Sequence, residues 1–185
     1  MKFTAPEEYG LRCILCLVRE EAQDAATVLT TSEIAAREGL SEQYVGKLFR
    51  ILAKSGLVKS VRGRRGGYRL ARPAAEIHVA ETLAALGGKL YQPQLCERYT
   101  GNQAFCVHTN DCSIRSLWVG LQFLIDQVLY RTTLRDLVCS EKTMSEWMAT
   151  LLASLGDLER EAIFAGQAGG MTPLPASEMR SLTGK

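Results

Sequence analysis

The sequence predicts a mainly α-helical fold with a small β-hairpin wing, that is, a winged helix-turn-helix domain followed by a long helix. Two short amphipathic segments joined by a tight glycine-containing turn, within residues 30–56, predict the helix-turn-helix. Two β-prone runs around the turn RGRRGG, within residues 57–71, predict the hairpin that forms the wing. A long apolar stretch with heptad-like spacing, residues 113–131, predicts the long helix.

The composition of the 185-residue chain is typical of a globular protein, with 46% hydrophobic and 23% charged residues. No apolar run approaches the roughly 20 residues that a bilayer-spanning helix needs, so we expect no membrane association. The amino terminus, MKFTAPEEYG, is acidic where a secretion signal would be basic and then apolar, which predicts a cytoplasmic protein. Because cytoplasmic thiols stay reduced, clustered cysteines there indicate metal or redox chemistry rather than disulfide bonds.

The predicted DNA-binding domain, residues 1–88, begins with a helix over residues 6–21, where Pro6 suits the first helical position. The segment TTSE then places Thr30 and Glu33 as a capping box, which predicts that a second helix starts there. Gly39 predicts the end of this helix, because glycine readily takes the left-handed conformation found after helices.

Ser41 is placed to cap a third helix, which Gly56 ends. The apolar residues Val45, Leu48, Phe49 and Leu52 recur at helical spacing and predict a buried face. The outward face is basic, so we expect the helix to enter the major groove of DNA and contact bases or phosphates. The residues predicted to contact DNA from this helix are Ser41, Gln43, Tyr44, Lys47, Arg50 and Lys54.

The hairpin predicted from residues 57–61 and 68–71 carries Arg62, Arg64 and Arg65 at its tip. Residues 41–72 hold nine basic residues against one acid, although the whole chain has a net charge of only +2. A solvated basic face is the plainer interpretation. Basic residues that recur on the open face of the helix and at the wing tip favour double-stranded promoter DNA, with the wing arginines in a minor groove or against phosphates.

The segment 89–112 follows a helix predicted over residues 75–86 and contains half of the chain's six cysteines. Its cysteines, Cys96, Cys106 and Cys112, lie among polar residues, with His108 between the last two. Idle thiols are one interpretation, since free cysteine is often a small buried hydrophobe. Polar surroundings argue against burial, and three thiolates suit an iron–sulfur cluster or a zinc ion with a histidine. The spacing alone does not separate cluster from zinc.

The segment 113–139 is predicted to be a dimerisation helix and a short following helix. Five apolar residues alternate at spacings of four and three, namely Ile114, Trp118, Leu121, Ile125 and Val128, and Leu117 and Leu124 widen their face. Packing within one subunit is the alternative, but DNA-binding units of this kind generally read two half-sites as a dimer, so we expect a homodimer. Residues 140–165 are predicted to form a carboxy-terminal helix, and the small, polar tail 166–185 to be disordered.

The segment Cys13-Ile14-Leu15-Cys16 has the spacing of a thiol redox motif. It lies within a periodic helix and has no surrounding βαβ pattern, which favours two buried core thiols over a thiol oxidoreductase. His78, between Ile77 and Val79, is interpreted as structural. We therefore expect neither enzymatic activity nor a small-molecule substrate.

Two strings together identify a resemblance to a known family: SEQYVGKLFRILAKSGLVKSVRGRRGGYRLAR and DCSIRSLWVGLQFLIDQVLYRTTLRDLV, with the three-cysteine segment between them. They resemble the bacterial winged-helix iron–sulfur transcription regulators that include IscR, NsrR and RirA, over roughly residues 1–140. The resemblance implies a homodimer with crossing long helices and a two-iron or four-iron cluster. Gain or loss of that cluster would change promoter affinity in response to redox state, nitric oxide or iron.

The resemblance implies Cys96, Cys106 and Cys112 as cluster ligands, although nine residues separate the first two where five are usual. Arg115 stands where IscR-like proteins have a ligand histidine, so the fourth ligand is expected from the partner's first helix. Glu8 holds the position of that carboxylate, with Glu7 and His108 as further candidates. Zinc is the alternative metal, and a cofactor-free cysteine loop controlled by a protein partner is the alternative function.

The resemblance also bears on DNA sequence preference. Gly46 stands where IscR has a glutamate that reads a base. The preferred DNA sequence is therefore expected to differ from that of IscR.

Overall fold

The computed structural model describes residues 3–22, 24, 27–63, 66–92 and 94–167, with side chains up to residue 155. It divides the chain into two compact units, Met1–Ser140 and Glu141–Lys185. No helix in the described part of the chain is both long and apolar enough to cross a membrane.

The elements follow one another in a simple order. The first unit contains helices α1 (Ala5–Glu21), α2 (Thr31–Glu38) and α3 (Glu42–Lys54), strands β1 (Val58–Val61) and β2 (Gly67–Leu70), a 3₁₀ turn (Ala74–Glu76), and helices α4 (Val79–Leu86), α5 (Leu95–Arg98) and α6 (Ser113–Leu129). The second unit contains helix α7 (Glu141–Gln167). The fold is mainly helical with one two-stranded antiparallel hairpin, as the sequence predicts.

The helix-turn-helix begins and ends at the predicted residues. Thr30 accepts a hydrogen bond from the Glu33 amide, and the Glu33 carboxylate accepts one from the Thr30 amide at 2.8 Å, which confirms the capping box. Gly39 has φ +67°, a conformation that glycine adopts without steric cost, and ends α2. Ser41 caps α3, where its side chain accepts a hydrogen bond from the Tyr44 amide.

The core of the first unit lies between α1, α2, α3, α4 and the hairpin. Its largest fully buried side chains include Phe49, Ile14, Ile34, Leu48 and Leu52. Burial of each such side chain contributes about 1.5–3 kcal/mol to folding, so this core fixes how α3 is presented to solvent.

The hairpin is joined to the segment before α2 by an isolated β-bridge. In the register of the hairpin Val58 faces Leu70, and Leu29 forms a bridge to Tyr68 on the other edge of β2. At Gly67 a β-carbon would lie 2.2 Å from the Leu29 carbonyl oxygen, so this position requires glycine. Tyr68 also packs against Phe49 of α3, at 4.7 Å between ring centroids, so the base of the wing is held against both the start of α2 and α3.

The end of α6 is joined to the DNA-binding half by backbone hydrogen bonds. The Val79 amide donates to the Thr132 carbonyl at 2.9 Å, and the Leu134 amide donates to the Ile77 carbonyl at 2.8 Å. Leu134 is fully buried in the same core. A displacement of α6 would therefore be transmitted to the start of α4.

Three predictions about local structure need correction. The helix predicted over residues 75–86 is divided into the 3₁₀ turn and α4, because the extended backbone of His78 caps the second part. Residues 89–112, predicted from the sequence to be a cysteine-rich cluster-binding loop, contain the short helix α5, which carries Cys96. Tyr44, predicted to point outward, is half-buried against the core. The tail beyond residue 167 lies outside the described residues.

Candidate functional site

The outward face of α3 carries the predicted DNA contacts. Gln43, Lys47 and Lys54 are exposed, as is Arg50, whose Nε donates a hydrogen bond to the Gly46 carbonyl at 3.1 Å. This bond lays the Arg50 side chain along the helix surface. Positively charged donors thus occupy three turns of one helix face, which suits phosphate and base contacts in a major groove.

Tyr44 connects this face to α1. Its ring meets the ring of Tyr9 edge-on, at 6.1 Å between centroids, and the guanidinium carbon of Arg12 lies 5.5 Å from the Tyr9 centroid. Arg12 Nε also donates to a carboxylate oxygen of Glu38 at 2.8 Å, at the end of α2. The start of α1 is therefore packed directly against both helices of the helix-turn-helix.

The wing adds positive charge beside α3. Arg62 is exposed at the end of β1, whereas Arg64 and Arg65 lie outside the described residues. On the hairpin itself Lys59 faces Arg69 directly across the two strands, and both are exposed. Like charges at such positions destabilise a hairpin, which favours an anionic partner for this face. The predicted contact residues omitted this pair, although both residues belong to the basic stretch 41–72.

Cys13 and Cys16 are core residues of α1. They are 0% and 2% exposed, and burial raises the pKa of each thiol to about 12. Cys16 Sγ also donates a hydrogen bond to Glu38 at 3.2 Å, which further favours the protonated thiol. Neutral thiols without solvent access are poor nucleophiles, so the geometry favours the interpretation of Cys13 and Cys16 as structural residues.

Cys96, Cys106 and Cys112 line one pocket of about 460 Å³. The pocket is also lined by His108, Arg115 and Trp118, and its walls are largely apolar. All three cysteines are half-buried, and all are free thiols. Thus α5, the following loop and the start of α6 bring together the three cysteines that the sequence singled out.

The geometry of the pocket bears on which inorganic group would fit. A single zinc ion needs all its ligands at about 2.0–2.3 Å from one point. Among the described residues, no group of three or more His, Cys, Asp or Glu has an arrangement that could hold a metal ion. A cluster distributes its protein bonds over several irons and accepts more widely separated thiolates. Three thiols and a histidine are the donor set of an iron–sulfur cluster or of a zinc ion, and the pocket does not distinguish between them.

The candidate fourth ligands differ in exposure. Glu8 is exposed near the start of α1. Glu7 is buried, and its carboxylate accepts a hydrogen bond from the Thr4 amide at 2.9 Å. It therefore caps the amino terminus of its own helix, α1. His108 is exposed and lines the pocket.

The apolar face of α6 is open in the single subunit. Four residues at heptad-like spacing, Ile114, Leu117, Leu121 and Leu124, are each 36–60% exposed. Trp118 and Ile125, predicted to belong to the same seam, are half-buried and so lie partly outside this open face. The buried residue of α6 is instead the polar Gln122.

Comparison with known proteins identifies the family. The chain matches the family model of Rrf2, described as an iron-dependent transcriptional regulator, over residues 3–140. The chain belongs to the Rrf2 family. As an Rrf2 protein it is a DNA-binding transcriptional regulator, and its relatives are regulators rather than enzymes.

Relatives of this Rrf2-family chain are similar over most of their length. An HTH-type transcriptional regulator of Neisseria meningitidis is 35% identical over 138 residues, covering 75% of this chain and 88% of the relative. The structure of T. potens IscR is 30% identical with a TM-score of 0.56, covering 75% of this chain and 86% of that one. The structure of CymR, the global cysteine regulator of B. subtilis, is 27% identical with a TM-score of 0.57, covering 74% of this chain and 95% of that chain. These likenesses support the winged-helix fold of the Rrf2 family.

Proposed function

We propose that this Rrf2-family regulator binds promoter DNA as a homodimer and that an iron–sulfur cluster controls its affinity. The ligands would be Cys96, Cys106 and Cys112 of one subunit and Glu8 of the partner subunit. The observation that carries the proposal is the shared pocket of about 460 Å³, which all three thiols line. The family description, iron-dependent transcriptional regulator, agrees with it.

Each subunit would contribute the same elements to DNA binding. The residues Ser41, Gln43, Tyr44, Lys47, Arg50 and Lys54 would contact the major groove, and Arg62, Arg64 and Arg65 would contact the minor groove or its phosphates. The Lys59–Arg69 pair adds positive charge on the exposed face of the same hairpin. In the dimer the two copies of α3, the recognition helices, must reach half-sites about 34–36 Å apart. A small rotation of one subunit therefore weakens simultaneous binding.

The open face of α6 supports the homodimer. Apolar residues spaced by three and four along a helix form the seam of a helix pair, and here that seam is exposed to solvent. A second copy of α6 would cover it. The proposal further requires that the exposed Glu8 of one subunit reach the pocket of its partner in this dimer.

The chain's own residues supply the means of coupling. When bound, a cluster supplies iron that reacts with oxygen or nitric oxide or is lost when iron is scarce. Glu8 precedes Tyr9, and Tyr9 contacts Tyr44 on the recognition helix. A carboxylate drawn toward the partner's pocket therefore acts on a residue that packs against the DNA-binding surface, which is the differential contact that coupling requires.

A second candidate function is a cofactor-free cysteine loop that binds a protein partner. The observation that favours it is the exposure of Tyr99, Phe105 and Val107 in the cysteine segment, each more than 70% accessible. Exposed aromatic residues are frequent at protein interfaces. In this alternative the partner, rather than a cluster, would alter the affinity for DNA.

The experiment is anaerobic purification followed by reconstitution with ferrous iron and sulfide. We expect a brown protein with visible absorption, with iron and sulfide present in matching amounts in each subunit. Cys106→Ser should lose the colour, whereas Cys139→Ser should keep it, because Cys139 is exposed and does not line the pocket. A colourless protein, or one that holds stoichiometric zinc instead, contradicts the proposal and favours the second candidate.

A further inference from the structure

One face of α6 is directed at the cysteine segment rather than at solvent. Arg115, Trp118 and Gln122 follow one another at spacings of three and four, so they lie on the same side of the helix. This face is separate from the open apolar seam of Ile114, Leu117, Leu121 and Leu124. Two of its residues are polar and bind backbone groups of the segment that carries the cysteines.

Arg115 binds the second half of the cysteine segment, residues 89–112, close to Cys106 and Cys112. One guanidinium nitrogen, Nη2, donates hydrogen bonds to the carbonyl oxygens of His108 at 3.0 Å and Thr109 at 2.7 Å. The backbone amide of Arg115 donates to Cys112 Sγ at 3.4 Å. Within the same turn the Thr109 hydroxyl donates to the Cys106 carbonyl at 2.7 Å. A single residue of α6 is thus hydrogen-bonded to the backbone between Cys106 and Cys112 and to the Cys112 side chain.

Gln122 binds the first half of the cysteine segment, before Cys96. Its side-chain oxygen accepts a hydrogen bond from the Tyr91 amide at 3.0 Å, and its side-chain nitrogen donates to Asp126 at 2.9 Å. Gln122 is buried, and Tyr91 lines the pocket four residues before the start of α5, which carries Cys96. A buried amide with both ends satisfied has one defined orientation, so it fixes the chain that enters α5.

Capping of α6 does not explain these bonds. A helix amino terminus needs acceptors for its own first amides, and Cys112 Sγ already accepts one of these hydrogen bonds. The Arg115 side chain instead reaches carbonyl groups six and seven residues earlier in the chain. Hydrogen bonds of a charged guanidinium are stronger than neutral ones, which suits Arg115 to hold a loop that has little secondary structure.

We propose that Arg115 and Gln122 are positioning residues that hold the backbone of the cysteine segment around the pocket before any metal is bound. This inference rests on the proposed function, because it concerns the same three cysteines. Segments that are already ordered lose less conformational entropy when their side chains bind. The site would therefore lose and regain its inorganic group without unfolding of the loop, as a reversible sensor requires.

The metal test starts from reduced, metal-free, full-length protein that is reconstituted with ferrous iron and sulfide without air and then treated with an iron chelator. Arg115→Gln should lose its visible absorption roughly tenfold faster than the unmodified protein, the usual effect of removing a residue that orients metal ligands. Arg131→Gln is the matched control, since Arg131 is exposed just beyond the end of α6 and does not line the pocket, and it should lose its absorption at the rate of the unmodified protein. Arg115→Lys should lose its absorption as fast as Arg115→Gln, because lysine lacks the planar arrangement of donors. If Arg115→Lys instead retained the bound group as well as the unmodified protein does, positive charge alone would explain the effect, and the positioning role would be overturned.

A second measurement does not depend on metal binding. Chymotrypsin cleavage after the exposed Phe105 in metal-free protein should be several-fold faster in Arg115→Gln than in the unmodified protein or in Arg131→Gln. Gln122→Leu should accelerate cleavage after Tyr91 instead. Equal cleavage rates in all proteins would overturn the inference, whether or not metal binds. If the unmodified protein forms no cluster while Arg115→Gln is cleaved faster, the proposed function fails, but the role of Arg115 in holding the backbone of the segment remains.

Discussion

The ring of Tyr9 meets the ring of Tyr44 edge-on at 6.1 Å between centroids, which joins the residue after Glu8 to the recognition helix. Aromatic pairs of this kind contribute about 0.5–1.5 kcal/mol beyond their buried area. We predict that Tyr9→Leu reduces the difference in DNA affinity between the protein with and without its cluster, while cluster content stays normal. Electrophoretic mobility shifts with both forms measure this difference. An unchanged ratio of the two affinities would exclude this contact as the coupling path.

Glu8 and Glu7 are adjacent but have different environments, so they make a matched pair. Glu8→Ala should shorten the lifetime of the cluster in air without lowering the melting temperature of the metal-free protein, since Glu8 is exposed. Glu7→Ala should instead lower that melting temperature, because it removes the acceptor of the Thr4 amide and costs about 0.5–2 kcal/mol. Normal cluster lifetime in Glu8→Ala would transfer the ligand role to His108 or to an external molecule.

Arg62, Arg64 and Arg65 are predicted to contact DNA phosphates or the minor groove. The triple change to alanine should weaken binding to all sequences and lower the slope of log affinity against log salt by about 0.9 for each phosphate that the wing no longer neutralises. Fluorescence anisotropy at several salt concentrations measures this slope. As a control, alanine at Arg98, Arg131 and Arg135, three exposed arginines outside α3 and the hairpin, should leave the slope unchanged. If the slope falls equally in both triple variants, the effect comes from the change in net charge rather than from loss of contacts made by the wing.

Local sequence signals predicted the helix-turn-helix because its ends depend on short-range chemistry. The capping box of Thr30 and Glu33 and the left-handed Gly39 act within four residues, and the structure has both where the sequence places them. The half-burial of Trp118 and Ile125 on α6 was not predictable from spacing, since it depends on which neighbouring segment packs against each side.

The grouping of three cysteines was visible in the sequence, but the hydrogen bonds that hold the surrounding segment were not. Three cysteines in a polar segment are visible in the sequence, and their shared pocket agrees with that expectation. Arg115 was interpreted only as a residue that cannot ligate, because its bonds to the carbonyls of His108 and Thr109 depend on a turn that spacing does not specify. Gln122 gave no signal, since a polar residue in an apolar helix looks solvent-facing until its partner Tyr91 is known.

Cys13 and Cys16 should make the stability of the first unit fall at high pH. Burial raises the pKa of each thiol from its usual value of 9.0 to about 12 in the folded protein. The folded state therefore retains protons that the unfolded state releases, so stability is complete below about pH 9 and falls as pH rises toward 12. The decrease is at most about 1.4 kcal/mol per pH unit for each thiol. Urea denaturation between pH 8 and 11 should show a shallower decline in Cys16→Ala, and an identical slope would contradict the assignment.

The open seam of α6 predicts how the homodimer is broken. Leu121 lies in the middle of the series Ile114, Leu117, Leu121 and Leu124, so Leu121→Arg would place a charge at the centre of the expected helix pair. An uncompensated buried charge costs several kcal/mol, enough to dissociate an interface of this kind at micromolar concentration. Sedimentation velocity should show a monomer with unchanged helical content.

Phe123 provides the matched control for this experiment, because it is 60% exposed on the same helix but does not belong to the seam. Phe123→Arg should remain a dimer. Both variants should retain the fold of the winged domain, whose core contains neither residue. Dissociation of the dimer in Leu121→Arg should also weaken binding to a two-half-site operator far more than binding to a single half-site, since only the former depends on two recognition helices acting together. A Leu121→Arg protein that remains dimeric would show that the subunits associate through another surface.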